Sequence, residues 1–379
     1  MDASKIIRKN CKGFEPYAAG KPVSEIKREL GLKQVIKMAS NENPLGPSPK
    51  AVSAMKKALT GVLYYPDSNS YALKKAISAA CKANVENIIL GAGSDEIIEL
   101  IAKVFFEPQD EIVMSRHAFI RYAMAAQLMG SKAVVVDMDK GLRHDLPAMA
   151  RACTKKTNAV FIANPNNPTG TYNTVKEFEK FMQALPKNAY GVKPLVVLDE
   201  AYFEYASVNK DYPDGRKYIS KYPNLIVMRT FSKIHALAGI RLGYAFASSG
   251  IVDFIERTRP PFNINVFAQA AGAASIADAG QVIKGRKLVK QESKYIYGEL
   301  KKLNLEYVPT AGNFILVKTA PRISGKDFFK AMLAKGVIVR AMDEYELYDW
   351  ARVTIGTHAQ NVLMMKKFKE ILKNTGEKK

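Results

Sequence analysis

The chain has 379 residues, 47% hydrophobic and 25% charged, the balance of an ordinary globular protein with length for two to three domains. No uninterrupted apolar stretch approaches a membrane span, and the start Met1-Asp-Ala-Ser-Lys-Ile-Ile-Arg8 lacks the apolar core of a signal peptide, so a cytoplasmic location is expected. The formal charge of +21 would suit a nucleic-acid or acidic-membrane surface, but the positive residues are dispersed and no run of five like charges occurs. Pairs such as Lys56-Lys57, Lys74-Lys75 and Lys366-Lys367 alternate with apolar residues at helical spacing, which describes solvated helix faces. The net field is therefore read as steering anionic small molecules, with neither nucleic acid nor membrane as a partner. Cys11, Cys81 and Cys153 are odd in number, far apart and without CxxC spacing, so neither a disulfide framework nor a metal site is indicated.

In chain order, the first 33 residues are expected to pack with a small domain and to cross the active site. From Gln34 to Pro260 strand and helix signals alternate, as in a large domain around a mostly parallel sheet. Asn87-Ile-Ile-Leu90 reads as a strand, Gly91-Ala-Gly93 as a turn and Ser94 to Phe106 as an amphipathic helix. A glycine turn opening onto a helix presents free backbone N–H groups to an anion. Three further apolar runs each end in a polar cluster. Asn158 to Ala163 runs into Asn164-Pro-Asn-Asn-Pro-Thr-Gly170, Leu195 to Leu198 into Asp199-Glu-Ala-Tyr202, and Asn224 to Arg229 into Thr230-Phe-Ser-Lys233. Such runs read as buried parallel strands, and ligands in open α/β sheets sit beyond their carboxyl ends. Pro260-Pro261 marks a break, after which Ala268 to Leu303 reads as one long bridging helix. Asn313 to Val317, Val337 to Arg340 and Arg352 to Ile355 read as strands of the small domain, with helices over Asp327 to Lys335 and Asn361 to Leu372. The division is thus 34–260 for the large domain, and 1–33 with 261–379 for the small one.

Each polar cluster has an ordinary reading by itself: an Asp after a strand is commonly a cap, a lysine is commonly solvated, and Asn-Pro-Asn-Asn-Pro-Thr-Gly suits a tight turn. Their conjunction at three strand ends spells a pyridoxal phosphate site. Lys233 supplies the amine for a Schiff base with the cofactor aldehyde and can shuttle protons once released. Asp199 stabilises a proton on the pyridine nitrogen, Tyr202 and Asn167 supply donors to the ring oxygen, and Arg241 offers the phosphate a bidentate partner.

The order NPNNPTG, DEAY, RTFSK and R-L-G-Y resembles the fold-type I aminotransferases of the aspartate aminotransferase superfamily. Within it, Ser40-Asn-Glu-Asn-Pro-Leu-Gly-Pro-Ser-Pro49, Tyr65-Pro-Asp67, Gly91-Ala-Gly-Ser-Asp-Glu-Ile-Ile98 and Arg352-Val-Thr-Ile-Gly-Thr357 resemble the histidinol-phosphate aminotransferase family. The match runs from about Pro16 to about Thr357. It implies an α/β fold-type I enzyme, a large domain with a mostly parallel sheet flanked by helices plus a smaller α+β domain. It implies a pyridoxal phosphate aminotransferase of histidine biosynthesis, exchanging the amino group between glutamate and imidazole-acetol phosphate. An aromatic-amino-acid aminotransferase would share every cofactor residue, and a threonine-phosphate decarboxylase the same phosphate cup, so both stay open as alternatives.

Residue by residue, the resemblance makes Lys233, Asp199 and Tyr202 the catalytic group. Ser94 and Asp95, completed by Thr230, Ser232 and Arg241, form the phosphate cup, and Phe119 stacks on the ring. Tyr65 matches a tyrosine that reaches the cofactor phosphate of a neighbouring subunit, which implies a homodimer. Tyr17 covers the substrate, Arg352 grips its anionic group with Arg340 as a second such arginine, and Asn167 also borders it. Two departures stand out: Ala92 replaces a larger polar residue, and Arg116-His117-Ala118-Phe119 replaces a proline-containing approach to the aromatic. His117 is read as structural or solvated rather than catalytic. Ile120, Tyr345 and Leu347 are expected at the pocket rim.

Overall fold

A computed structural model describes residues 2–14 and 22–376. Among the described residues there are thirteen strands: β1 Ile36–Lys37, β2 Ile88–Gly91, β3 Glu111–Ser115, β4 Lys132–Val136, β5 Thr157–Ala163, β6 Leu195–Asp199, β7 Leu225–Thr230, β8 Gly243–Phe246, β9 Tyr307–Val308, β10 Phe314–Lys318, β11 Val337–Ile338, β12 Arg340–Ala341 and β13 Trp350–Thr354. Seven form one sheet in the order β2-β8-β7-β6-β5-β3-β4, in which β8 is antiparallel to both neighbours and the other pairs are parallel. Both faces are covered, which is why β6 and β7 are buried at every position and read as continuous apolar runs. Alternate residues separate cleanly. Val160, Ile162, Val196, Leu198 and Val227 face the helices Tyr71–Cys81, Leu146–Ala152, Val175–Ala184 and Val266–Ile276. Ala159, Phe161, Val197, Ile226 and Met228 face the helices Ser94–Phe105, Arg121–Met129 and Ser249–Thr258.

A second, four-stranded antiparallel sheet runs β12-β13-β10-β9, and β1 pairs in parallel with β11. Ile315, Val317, Val353 and Phe328 form its core with Ile296 and Leu300 of the helix Ala279–Lys302 and Phe368 of the helix His358–Gly376. This is the mixed α/β architecture expected, a large parallel-sheet layer joined to a smaller α+β one.

Three local expectations are corrected. The helix expected over Ala268 to Leu303 is two helices, Val266–Ile276 and Ala279–Lys302, broken where Ser48 Oγ donates to Asp278 Oδ2 at 2.5 Å. The first of them contributes Ala268 and Ala271 to the core of the large sheet, so that core continues beyond Pro260. The strand expected over Val337 to Arg340 is two short strands that serve different partners, β1 and β13. The amino-terminal residues also divide. Ile26 packs with Ala39 and Ile338, whereas residues 2–14 lie along the helix Arg121–Met129, with Arg8 donating to the Leu128 carbonyl and Gln127 to the Gly13 carbonyl at 3.0 Å each.

Candidate active site

Because β5, β6 and β7 are adjacent and parallel, their carboxyl ends deliver side chains to one place; Ala163 pairs with Asp199, and Asp199 with Met228. A single cavity there is lined by Asn167, Asp199, Tyr202, Thr230, Ser232 and Lys233, with Ser94, Asp95, Phe119 and Arg241 closing it from the side. All ten were expected there from the sequence.

Asp199 is 5% exposed, and its carboxylate accepts from the Tyr122 hydroxyl at 2.7 Å and the Ala201 amide at 3.0 Å. Burial pushes its pKa up to about 6, against those two donors, which pull it down. Lys233 is its counterpart: burial, aided by the charge of Arg352, brings the amine down to about 8. Its Nζ donates to the Ser40 carbonyl at 3.2 Å and lies 5.8 Å from the centre of the Tyr202 ring. The Tyr202 hydroxyl is held by Asn41 Nδ2 at 2.7 Å. Asn41 is itself fixed by Thr354 Oγ1 and Asn313, so the small sheet sets the phenol's position.

The anion cup forms where the helix Ser94–Phe105 starts, since the first N–H groups of a helix have no partner within it. Two glycines keep it open. A Cβ on Gly93, at φ +83°, would sit 2.4 Å from Arg241 Nη2, and one on Gly243 would sit 2.5 Å from the Ser94 amide nitrogen. Arg241 adopts φ +59° and pairs with Asp95 at 3.3 Å, which turns its guanidinium over the cup.

Beyond Phe119 and Asn167 the cavity continues into a second compartment lined by Lys233, Arg340, Arg352, Glu42, Glu344 and Tyr345. Arg352 is 6% exposed; its Nη1 donates to Asn167 Oδ1, its Nη2 to the Ala39 carbonyl at 2.6 Å, and its buried Nε has no hydrogen-bond partner among the described residues. Arg340 lines the compartment and forms a bidentate pair with Glu344. His117 donates Nδ1–H to the Tyr345 carbonyl at 2.6 Å, which suits a structural role. Tyr65 lies outside both compartments, 82% exposed and stacked on Phe262 at 4.7 Å. Tyr17 falls outside the described residues. Sequence reasoning missed Tyr122, Asn41 and Glu344. No local signal marked them: Phe119 precedes the helix that carries Tyr122, and Arg340 lies in a strand while Glu344 lies in the turn after it, so sequence spacing alone does not bring either pair together.

Behind the site, Glu200 and Arg229 form a buried ion pair at 2.8 Å, extended to Asp214 at 2.7 Å and to the Gly215 amide. Glu200 and Arg229 immediately follow Asp199 and precede Thr230, so this network clamps β6 to β7 at the level of the cavity.

A family model described as aminotransferase class I and II matches residues 33–367. The chain belongs to this aminotransferase family. It is 44% identical to the histidinol-phosphate aminotransferase of Moorella thermoacetica over 95% of this chain and 91% of that protein. It is 42% identical to histidinol-phosphate aminotransferase 2 of Carboxydothermus hydrogenoformans, over 97% and 99% respectively. Among solved structures, the histidinol-phosphate aminotransferase of Sinorhizobium meliloti in complex with pyridoxal 5'-phosphate superposes with a TM-score of 0.87 at 25% identity, covering 97% of this chain and 98% of that one.

As a member of this family the aminotransferase depends on pyridoxal phosphate, and the donor set fits that group. One cavity contains a desolvated amine, a desolvated carboxylate, an aromatic side, hydroxyls, and a helix start kept clear by glycine and overhung by a guanidinium. Among the described residues no cluster of His, Cys, Asp or Glu could hold a metal ion, and no helix is long and apolar enough to cross a membrane.

Proposed function

We propose that this aminotransferase interconverts histidinol phosphate and imidazole-acetol phosphate, with glutamate and 2-oxoglutarate as the other pair. The observation that carries the reading is the second compartment: two arginines, Arg340 and Arg352, sit on paired strands beside the amine of Lys233. A phosphate and a carboxylate are both matched by guanidinium forks, so one compartment can serve two unlike anions in turn. The names of the relatives agree with that substrate.

When bound, pyridoxal phosphate supplies an aldehyde that condenses with amines and a ring that draws electrons from the carbon losing its proton. Lys233 Nζ would hold the cofactor and, once free, take up and return the substrate's α-proton; its lowered pKa keeps part of the amine neutral near physiological pH. Asp199 would hold a proton at the ring nitrogen, since a buried carboxylate favours a cation beside it. Tyr202 and Asn167 would steady the ring oxygen, Phe119 would stack on the ring, and Ser94, Asp95, Thr230, Ser232 and Arg241 would hold the phosphate. Tyr17 would cover the substrate. We further propose a cytoplasmic homodimer in which Tyr65 reaches the neighbouring cup; Leu63, Tyr64, Tyr65 and Phe262 together expose an apolar surface of the kind that marks interfaces.

An amino-acceptor panel with glutamate as donor tests the substrate. Imidazole-acetol phosphate should have the highest kcat/KM; a preference for phenylpyruvate, or release of carbon dioxide from threonine phosphate, would replace the assignment. Purified protein should be yellow, and Lys233→Ala should lose both the absorption band and turnover. Sedimentation of wild type as a monomer at assay concentration would remove the dimer.

A further inference from the structure

Arg340 and Arg352 are directly opposed residues of the antiparallel strands β12 and β13. Opposed residues leave a sheet on the same face with Cβ atoms only about 5 Å apart, and like charges so placed repel. The fold answers this within the chain. Glu344 receives Arg340 Nε at 3.1 Å and Nη2 at 2.7 Å to each carboxylate oxygen. Arg340 and Glu344 are only 17% and 19% exposed, so solvent screens the pair weakly. Among the described residues Arg352 has no carboxylate of this kind: its hydrogen bonds go to the Asn167 side chain and the Ala39 carbonyl. Of two facing guanidiniums in one compartment, one is neutralised from inside the chain and the other is offered to a ligand.

We infer that Glu344 is a tethered anion that occupies Arg340 between turnovers and is displaced when a phosphate-bearing substrate enters, so that glutamate is held by Arg352 with the pair closed and the phosphate ester recruits both arginines with the pair open. This rests on the substrate reading above. A ligand carboxylate has the charge and fork geometry of Glu344 but lacks its tether, so exchange gains it nothing. A phosphate dianion has a second charge and a third oxygen, enough to engage two guanidiniums at once. The pair also opens with little disturbance. Glu344 lies in the single turn Asp343–Tyr345, whose backbone is anchored by the His117 bond to the Tyr345 carbonyl, so a side-chain rotation is sufficient. The consequence for turnover is release: the tethered carboxylate competes for Arg340 as a phosphorylated product departs.

The test compares wild-type holoenzyme with Glu344→Gln, which keeps the size and removes the charge. Inorganic phosphate, as competitive inhibitor and as the ligand in thermal-shift titrations, should bind about tenfold more tightly to Glu344→Gln. The KM for histidinol phosphate should fall in step, while the apparent affinity for glutamate in its own half-reaction changes less than about twofold. In an Arg340→Met background the Glu344→Gln effect on phosphate should vanish. Phosphate binding that is unchanged or weaker in Glu344→Gln, or glutamate gaining as much as phosphate, overturns the inference. A wild type that fails to transaminate histidinol phosphate while Glu344→Gln still tightens phosphate removes the proposed substrate and leaves the role of Glu344 standing.

Discussion

Tyr122 gives the sharpest test of the electrostatics. Its hydroxyl donates to Asp199 Oδ2 at 2.7 Å, and its ring stacks on Phe161 at 4.5 Å and meets Phe119 edge-on at 5.8 Å. Tyr122→Phe keeps that packing and removes one of the two donors that offset the burial of the Asp199 carboxylate. A hydrogen bond to a charged group contributes ~1.5–3 kcal/mol, so its loss should raise the carboxyl's titration midpoint by roughly one to two pH units from about 6. The acid form would then make up about half or more of the population at neutral pH. The measurement is infrared titration of the protonated-carboxyl band in apoprotein, assigned by its absence in Asp199→Asn. In holoenzyme, the pH profile of kcat/KM should move in the same direction, with a loss of roughly two- to tenfold at pH 7. A carboxyl midpoint that stays within about 0.3 of wild type in Tyr122→Phe would refute the argument that this hydrogen bond tunes Asp199.

Gly243→Ala places a Cβ 2.5 Å from the Ser94 amide nitrogen and should weaken cofactor affinity at least ~10-fold in absorbance titrations of apoprotein, with secondary structure retained by circular dichroism. Lys233→Met should stabilise the apoprotein at pH 7, because the buried amine, near 8 in the fold and 10.5 in the unfolded chain, is charged there in both states. The gain is at most ~3 kcal/mol; it should shrink as pH rises from 8 to 10.5, where the unfolded chain holds more protons, and urea melts at pH 7 and pH 10 check both points. Arg352→Lys cannot reproduce contacts to both Asn167 and the Ala39 carbonyl, and should lower kcat/KM for either substrate by ~100-fold, chiefly through KM.

What the sequence made legible follows from where chemistry meets backbone. Asp199, Thr230 and Lys233 lie within a few residues of strand ends, and the stretches Ala159 to Ala163, Leu195 to Leu198 and Leu225 to Met228 of β5, β6 and β7 are apolar because both sheet faces are covered, so strand and site could be read from one stretch of letters. Tyr122 could not be read in that way. It reaches Asp199 from 77 residues away, and nothing in Arg121 to Met129 distinguishes that hydroxyl from an ordinary core tyrosine. The break at Ala277–Asp278 was hidden for the same reason, since the contact that meets Asp278 there comes from Ser48, 230 residues earlier. The double service of Val337 to Ala341 depends on two partner strands, which local periodicity does not encode. The role of Glu344 needed the opposed register of Arg340 and Arg352, a property of pairing rather than of spacing.

The distribution of buried charge explains why the cavity sits where it does. Asp199 ends β6 and Glu200 directly follows it, so the end of the strand carries two consecutive buried acids that need separate answers. Glu200 is answered within the chain by Arg229 and the Gly215 amide. Among the described residues Asp199 accepts only from a phenol and an amide, both neutral, and burial raises its pKa against them. Across the cavity Lys233 is desolvated in the opposite sense, and Arg352 keeps a buried Nε without an acceptor among the described residues. Leaving such groups unsatisfied costs a fold several kcal/mol unless a ligand completes them. A cationic heterocycle beside Asp199, an aldehyde at Lys233 and an anion at Arg352 would satisfy all three at once. The same polar groups that make the apoprotein less stable therefore specify the charge pattern of what it binds.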